Sequence, residues 1–224
     1  MQPPKASTTV HIYLMPGMAA SPRIFEYLHL PEQFEMHWLS WIPPKKNEPL
    51  QDYAKRMCQR VVHTNPILLG VSFGGVLVQE MARYVSCSKV IIVSSIKSAQ
   101  ELPVAMKMAK HTQIHKLLPT QWVKNIETLA LFVFGDRIKK RMSLYQKYLS
   151  ERDPNYLKWA IHALVHWQQQ TPAKGLVHIH GSQDTVFPKK HLLDPYIEIP
   201  GGHAIIINKK VWFNDNLPDL ILNS

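Results

Sequence analysis

Residues 66–75 read Pro66-Ile67-Leu68-Leu69-Gly70-Val71-Ser72-Phe73-Gly74-Gly75, and Val76 to Val85 after them are rich in Val, Leu, Met and Ala. A near-continuous apolar run predicts a buried strand, and the apolar spacing beyond it predicts a helix over 74–85. Between the two lies the pattern G-x-S-x-G. In a strand-turn-helix setting this pattern makes a sharp turn that lifts a serine hydroxyl above the carboxyl ends of the strands. Glycines belong there because flanking side chains would clash in so tight a turn. The other reading of the same residues is a packing turn that happens to use small side chains.

Outward from this stretch, strands and helices alternate. Val10 to Met15 reads as a buried strand ended by Pro16 and Gly17, and Phe34 to Ile42 as a second strand stopped by Pro43 and Pro44. Leu50, Tyr53, Ala54, Met57, Cys58, Val61 and Val62 recur at helical spacing, and Lys89 to Val93 forms another apolar strand. Apolar strands separated by helices argue a parallel sheet covered on both faces. From about Lys97 to Thr171 the chain turns basic, Met- and Lys-rich and helical, with Asp153-Pro154 as an N-cap followed by proline at the first helical position. The strand pattern returns at Leu176 to His180 and at Tyr196 to Ile199. The expected architecture is α/β, a mostly parallel sheet flanked by helices. Residues 1–224 form one domain, with a helical cap inserted at about 97–171.

Bulk properties narrow the field. At 46% hydrophobic and 19% charged, the 224 residues suit one globular core. No apolar run approaches the roughly 18 residues of a membrane span, and residues 1–9 carry no signal-peptide core, so the cytoplasm is the expected location. Cys58 and Cys87 belong to no CxxC pair, and Cys58 falls on a helix's apolar stripe, where a free thiol is expected. Of the net charge of +10, the stretch Lys97–Lys158 holds 12 Lys or Arg against 5 Asp or Glu. No nucleic-acid signature accompanies it, so a solvated basic face is the plain reading and a patch for an anionic substrate the sharper one.

A serine hydroxyl needs a base to become a nucleophile. Among twelve histidines, His203 in Pro200-Gly201-Gly202-His203 lies late in the chain, after the last predicted strand, with glycines that let a loop bring it over the sheet. His178 and His180 alternate within a strand and read as structural. His111/His115 and His162/His166 have the i,i+4 spacing of a helical metal pair but lack the Glu of H-E-x-x-H, so neither a metal nor a cofactor is expected. The carboxylate that orients the histidine is expected at a strand end before it. Asp184 in His180-Gly181-Ser182-Gln183-Asp184 fits, and Asp136 in Phe134-Gly135-Asp136 is its rival, though basic residues follow it. Oxyanion donors are expected at the amides of Phe73 and Met18, the latter in the small-residue turn Pro16-Gly17-Met18-Ala19-Ala20.

Those four stretches, in the order serine, aspartate, histidine, resemble the α/β-hydrolase superfamily, in its compact esterase and thioesterase-like branch with a helical cap. The resemblance implies a hydrolase mechanism without a cofactor and leaves the substrate open. The expected function is cleavage of a small-molecule carboxylic ester or thioester, an anionic one among the candidates, through an acyl-Ser72 intermediate. Met106, Met108, Leu117, Leu118 and Trp122 are candidates to roof an acyl pocket. The alternatives are a non-catalytic binding protein on the same scaffold and a C–C bond hydrolase using the same three residues.

Overall fold

The computed structural model describes residues 9–112 and 147–223. The strands are β1 (Val10–Met15), β2 (Phe34–Trp38), β3 (Ile67–Val71), β4 (Lys89–Val93), β5 (Val177–Gly181) and β6 (Ile197–Ile199). They make one six-stranded sheet in the order β2-β1-β3-β4-β5-β6, and every pair is parallel. β3 and β4 are buried along their whole length, as the unbroken apolar runs require of strands covered on both faces. The helices are α1 (Leu50–Cys58), α2 (Phe73–Met81), α3 (Val104–Thr112), α4 (Pro154–Val165), α5 (Ile205–Asn208) and α6 (Lys210–Leu222).

The topology chooses where a site can form. The chain leaves β1 toward β2 on one side and leaves β3 toward β4 on the other. Loops therefore diverge above the carboxyl ends of β1 and β3, which is where open parallel sheets leave a crevice.

Three elements end earlier than the sequence reading places them, each for a local reason. β2 stops at Trp38; Leu39 still donates to Leu14 O, and then the indole of Trp41 leaves the ladder to bond Gly17 O at 3.0 Å. α1 ends at Cys58 because Arg60 and Val61 tighten into i→i+3 turns, which releases Val62 to bond the Tyr13 hydroxyl. α2 starts one residue early, at Phe73, and ends at Met81, with Arg83 and Tyr84 again in i→i+3 turns. The N-cap at Asp153 stands as expected, its carboxylate accepting from Tyr156 N at 2.7 Å. Both cysteines are free and partly buried. Burial, then the neighbouring Cys87, pushes the Cys58 thiol up to about 11. Asp136, His115, Leu117, Leu118 and Trp122 lie outside the described residues. No helix among the described residues is long and apolar enough to cross a membrane.

One buried cation ties the chain's end to its centre. Lys89, the first residue of β4, donates from Nζ to the carbonyls of Leu220 (2.7 Å), Ile221 (3.0 Å) and Asn223 (2.8 Å). These are orphan carbonyls at the negative end of α6, and a buried ammonium satisfies all three. Lys89→Met is expected to lower stability by about 2 kcal/mol. In a chain of this size that is a fall of about 4–8 °C in Tm, read by thermal denaturation.

Candidate active site

The turn between β3 and α2 is held by contacts in which no side chain fits. A Cβ on Gly70 would lie 2.3 Å from Gly74 O, and one on Gly74 would lie 2.3 Å from Pro16 O. Ser72 between them takes φ 54 and ψ −123, a left-handed conformation that a non-glycine residue holds only when its surroundings impose it. The surroundings do so from β4 and the loop that follows it. Ser72 N donates to Val93 O at 2.9 Å, and Ser95 Oγ donates to Ser72 O at 2.7 Å.

Over this turn the structure brings together Ser72, His203 and Asp184. His203 Nε2 stands 2.9 Å from Ser72 Oγ, and His203 Nδ1 stands 2.8 Å from Asp184 Oδ2. A carboxylate at Nδ1 selects the tautomer that carries its proton there, which leaves Nε2 free to accept from the serine hydroxyl. Asp184 Oδ1 accepts the amides of Val186 (2.8 Å) and Phe187 (2.9 Å), so both of its oxygens are engaged. Burial raises the Asp184 carboxyl, but the charge and hydrogen bond of His203, with His180 and the Phe187 amide, outweigh it and hold it below its ordinary value. The Asp184 and His203 loops can meet because β5 ends in glycine: a Cβ on Gly181 would lie 2.5 Å from Gly202 O.

The turn after β1 lies against the serine. A Cβ on Gly17 would sit 3.3 Å from Ser72 Cβ. Gly17 O accepts both Trp41 Nε1 (3.0 Å) and Ala20 N (3.1 Å). In a trans peptide the following N–H points opposite to that carbonyl, so these bonds also aim the Met18 amide. Residues 147–151 brace the turn from outside: Glu151 N donates to Ala19 O and Ser21 N to Tyr148 O. Phe73, as the first residue of α2, has an N–H with no intrahelical acceptor.

Three aromatic neighbours of this arrangement, Trp41, Tyr156 and Trp159, belong to no sequence motif. Trp41 stacks on Phe73 with centroids 5.3 Å apart and planes 11° apart, while bonding Gly17. The aromatic side chains of α4 join it, with Tyr156 5.1 Å from Trp41 and Trp159 edge-on to Phe73 at 6.0 Å. Trp41 sits beyond the end of β2 without a motif, and nothing in its spacing ties it to Gly17. Of the residues expected as a roof, Met106 packs partly buried against the core and Met108 is exposed. Lys97, counted with the basic stretch, is buried; its Nζ donates to Leu193 O and to Pro195 O (2.9 Å), beside Glu101.

Elsewhere, His11, His37 and His63 gather at the β1–β2 edge with one ligand atom each, all within 4.8 Å of one another. Burial lowers His37, Glu35 opposes this, and the His63 and His11 charges add to the lowering. No spacing rule groups these three, because two come singly from adjacent strands and one from a loop.

No protein-family model matches the sequence, and no curated protein sequence matches it significantly. Solved structures do. The enol-lactonase from Burkholderia xenovorans LB400 is 13% identical, with a TM-score of 0.72 over 96% of this chain and 92% of that one. A thermophilic esterase from Thermogutta terrifontis is 12% identical, with a TM-score of 0.68 over 96% of this chain and 90% of that one. An esterase from Exiguobacterium antarcticum is 15% identical, with a TM-score of 0.67 over 96% and 93%. At such identities the likeness is one of fold.

Two further histidines lie under the site. His178 Nε2 stands 3.1 Å from His180 Nδ1, and His180 Nε2 donates to Phe187 O at 2.9 Å, which steadies the loop that carries Asp184. Both are buried, as a structural role requires. Burial, then the charges of His180 and Lys97, pushes His178 down to about 2, and burial also lowers His180. A histidine with a folded pKa below its unfolded value of about 6.5 takes its proton in the unfolded chain first. Its contribution is therefore intact above about pH 6.5 and is lost as pH falls below that, by up to about 1.4 kcal/mol per pH unit for one such group. Denaturant midpoints measured from pH 7 down to 5 are expected to fall, and His178→Gln is expected to flatten that fall.

Proposed function

We propose that this chain, which has the α/β-hydrolase fold, is a serine hydrolase that cleaves a carboxylic ester or thioester through an acyl-Ser72 intermediate. The observation that carries this reading is the unbroken line Ser72 Oγ–His203 Nε2 at 2.9 Å and His203 Nδ1–Asp184 Oδ2 at 2.8 Å. His203 takes the serine proton as Oγ attacks the acyl carbon, then returns it to the departing alcohol or thiol. Asp184 remains ionised and stabilises the imidazolium in between. The carbonyl oxygen becomes an oxyanion, and the amides of Phe73 and Met18 receive it, supported by the positive end of α2. A water activated by the same histidine then attacks the acyl-serine, releasing the acid and restoring Ser72. Apart from the substrate and that water, every group in these steps belongs to the protein, so the reading calls for no cofactor. The stretch between β4 and β5 is read as the cap that selects the substrate, with its surplus of lysine and arginine favouring an anionic one.

The test is a fluorophosphonate probe together with p-nitrophenyl esters of rising chain length. Wild-type protein is expected to label at Ser72, and Ser72→Ala to lose turnover by at least about ten-thousand-fold. Equal slow turnover by both proteins would sink the proposal.

Trp41 is assigned a positioning role, because it fixes the peptide whose N–H serves the oxyanion. Trp41→Phe keeps the stack on Phe73 and removes the indole donor. Loss of one such hydrogen bond, about 1.4 kcal/mol, is expected to reduce kcat about tenfold while KM stays near its original value. Steady-state kinetics with a short-chain ester, with Tm as a control for folding, reads the difference.

A further inference from the structure

The histidine cluster at the sheet's edge has the makings of a second site. Strands β1 and β2 pair with His11 opposite Glu35 and Tyr13 opposite His37, so all four side chains share one face of the sheet. His63, from the loop after α1, closes over them. Its ring lies on His11 with centroids 3.5 Å apart and 4.6 Å from that of His37.

His11, His37 and Glu35 stand near the spacing of ligands around one ion, and the His63 ligand atom lies within 4.8 Å of those of His11 and His37. His11 Nδ1 and His37 Nε2 are 3.1 Å apart. Glu35 offers one oxygen 3.4 Å from the first nitrogen and its other oxygen 3.7 Å from the second. Ligands of a tetrahedral zinc ion, at roughly 2.0–2.2 Å from the metal, stand about 3.3–3.5 Å from one another. Tyr13 supplies the outer support such sites need: its hydroxyl stands 2.8 Å from His63 Nδ1 and accepts from Val62 N at 3.0 Å. With Nδ1 donating to that phenol oxygen, His63 keeps Nε2 unprotonated and able to act as its ligand atom. The cluster opens on a surface groove of about 550 Å³ lined by His37, Tyr13 and Arg60 among others, which provides a path of entry.

We propose that His11, His37 and His63, with Glu35 as a fourth and anionic ligand, bind one zinc-class divalent cation that staples β2 and the α1–β3 loop to β1. Three imidazoles and a carboxylate suit zinc among the common divalent ions. The site lies at the amino end of the sheet: His11 precedes Ile12, which pairs with Ile67, and Ser72 comes five residues after Ile67. That separation is about 16 Å along the strand, so the ion holds an edge strand and does not touch the reacting bond.

The test uses the full chain stripped with a chelator and titrated with Zn²⁺ by calorimetry, with Co²⁺ absorption as a second readout. One equivalent is expected to bind, and zinc at about a hundred times its Kd is expected to raise Tm by about 5–10 °C. His37→Gln and His63→Gln should each weaken binding at least about a hundredfold, and Tyr13→Phe about tenfold through the His63 ring. His63 lies in a loop, so its variant reports even where a strand substitution perturbs folding. No binding by wild type, undiminished binding by His63→Gln, or a loss confined to His37→Gln would each overturn the three-histidine site.

Discussion

The fold turns on a backbone contact too close for any side chain. Gly70 lies against the backbone of Gly74, and Gly74 lies against that of Pro16 at the end of β1. With β3, α2 and the β1 turn pressed together in this way, Ser72 is forced to positive φ and its side chain projects into the crevice between β1 and β3. A residue so strained persists only if its surroundings over-determine it, as Val93 O of β4 and the Ser95 hydroxyl just beyond it do. The same packing sets Gly17 beside Ser72, so the serine and the turn after β1 are placed by one constraint.

Legibility followed how local each signal was. Ser72 and the β3–α2 turn were readable because strand, glycines and helix are contiguous in sequence. Asp184 and His203 were readable from their order and from the strands before them, and the structure sets them on one hydrogen-bonded line. Trp41 was hidden because its placement depends on an indole reaching back to Gly17 across 24 residues from a stretch that reads as strand. The His11, His37 and His63 grouping was hidden for a related reason: β-sheet register and a loop closure, neither visible as a periodicity, bring single residues together. Helix ends erred where terminal turns tightened, a matter of a few hydrogen bonds that propensity does not resolve.

The polar interior is organised to hold loops still. Glu101 accepts the amides of Lys97 and Leu193, and Lys97 donates to Leu193 and Pro195 carbonyls, tying the loop before β6 to the end of β4. Gln79 of α2 donates to Gly75 O and Ile96 O and accepts from Gln169, while Trp167 donates to Glu80. Buried polar groups are costly when unpaired. Here each is spent on a loop that must not move if His203 and Asp184 are to stay within hydrogen-bond reach.

The sheet thus divides its labour along the strands. Its carboxyl ends gather strained backbone, buried charge and convergent loops, which weaken a fold locally and are tolerated because the central strands β3 and β4 are fully buried. Its β2 edge has the opposite need. The burial of β2 is uneven, and its last residue, Trp38, is half exposed. Yet β2 leads directly to Trp41, whose bond to Gly17 fixes the peptide beside the serine. Anything that holds β2 to β1 at the amino end, including an ion shared by His11 and His37, therefore reaches the proposed chemistry through Trp41, by stiffening the strand that delivers it.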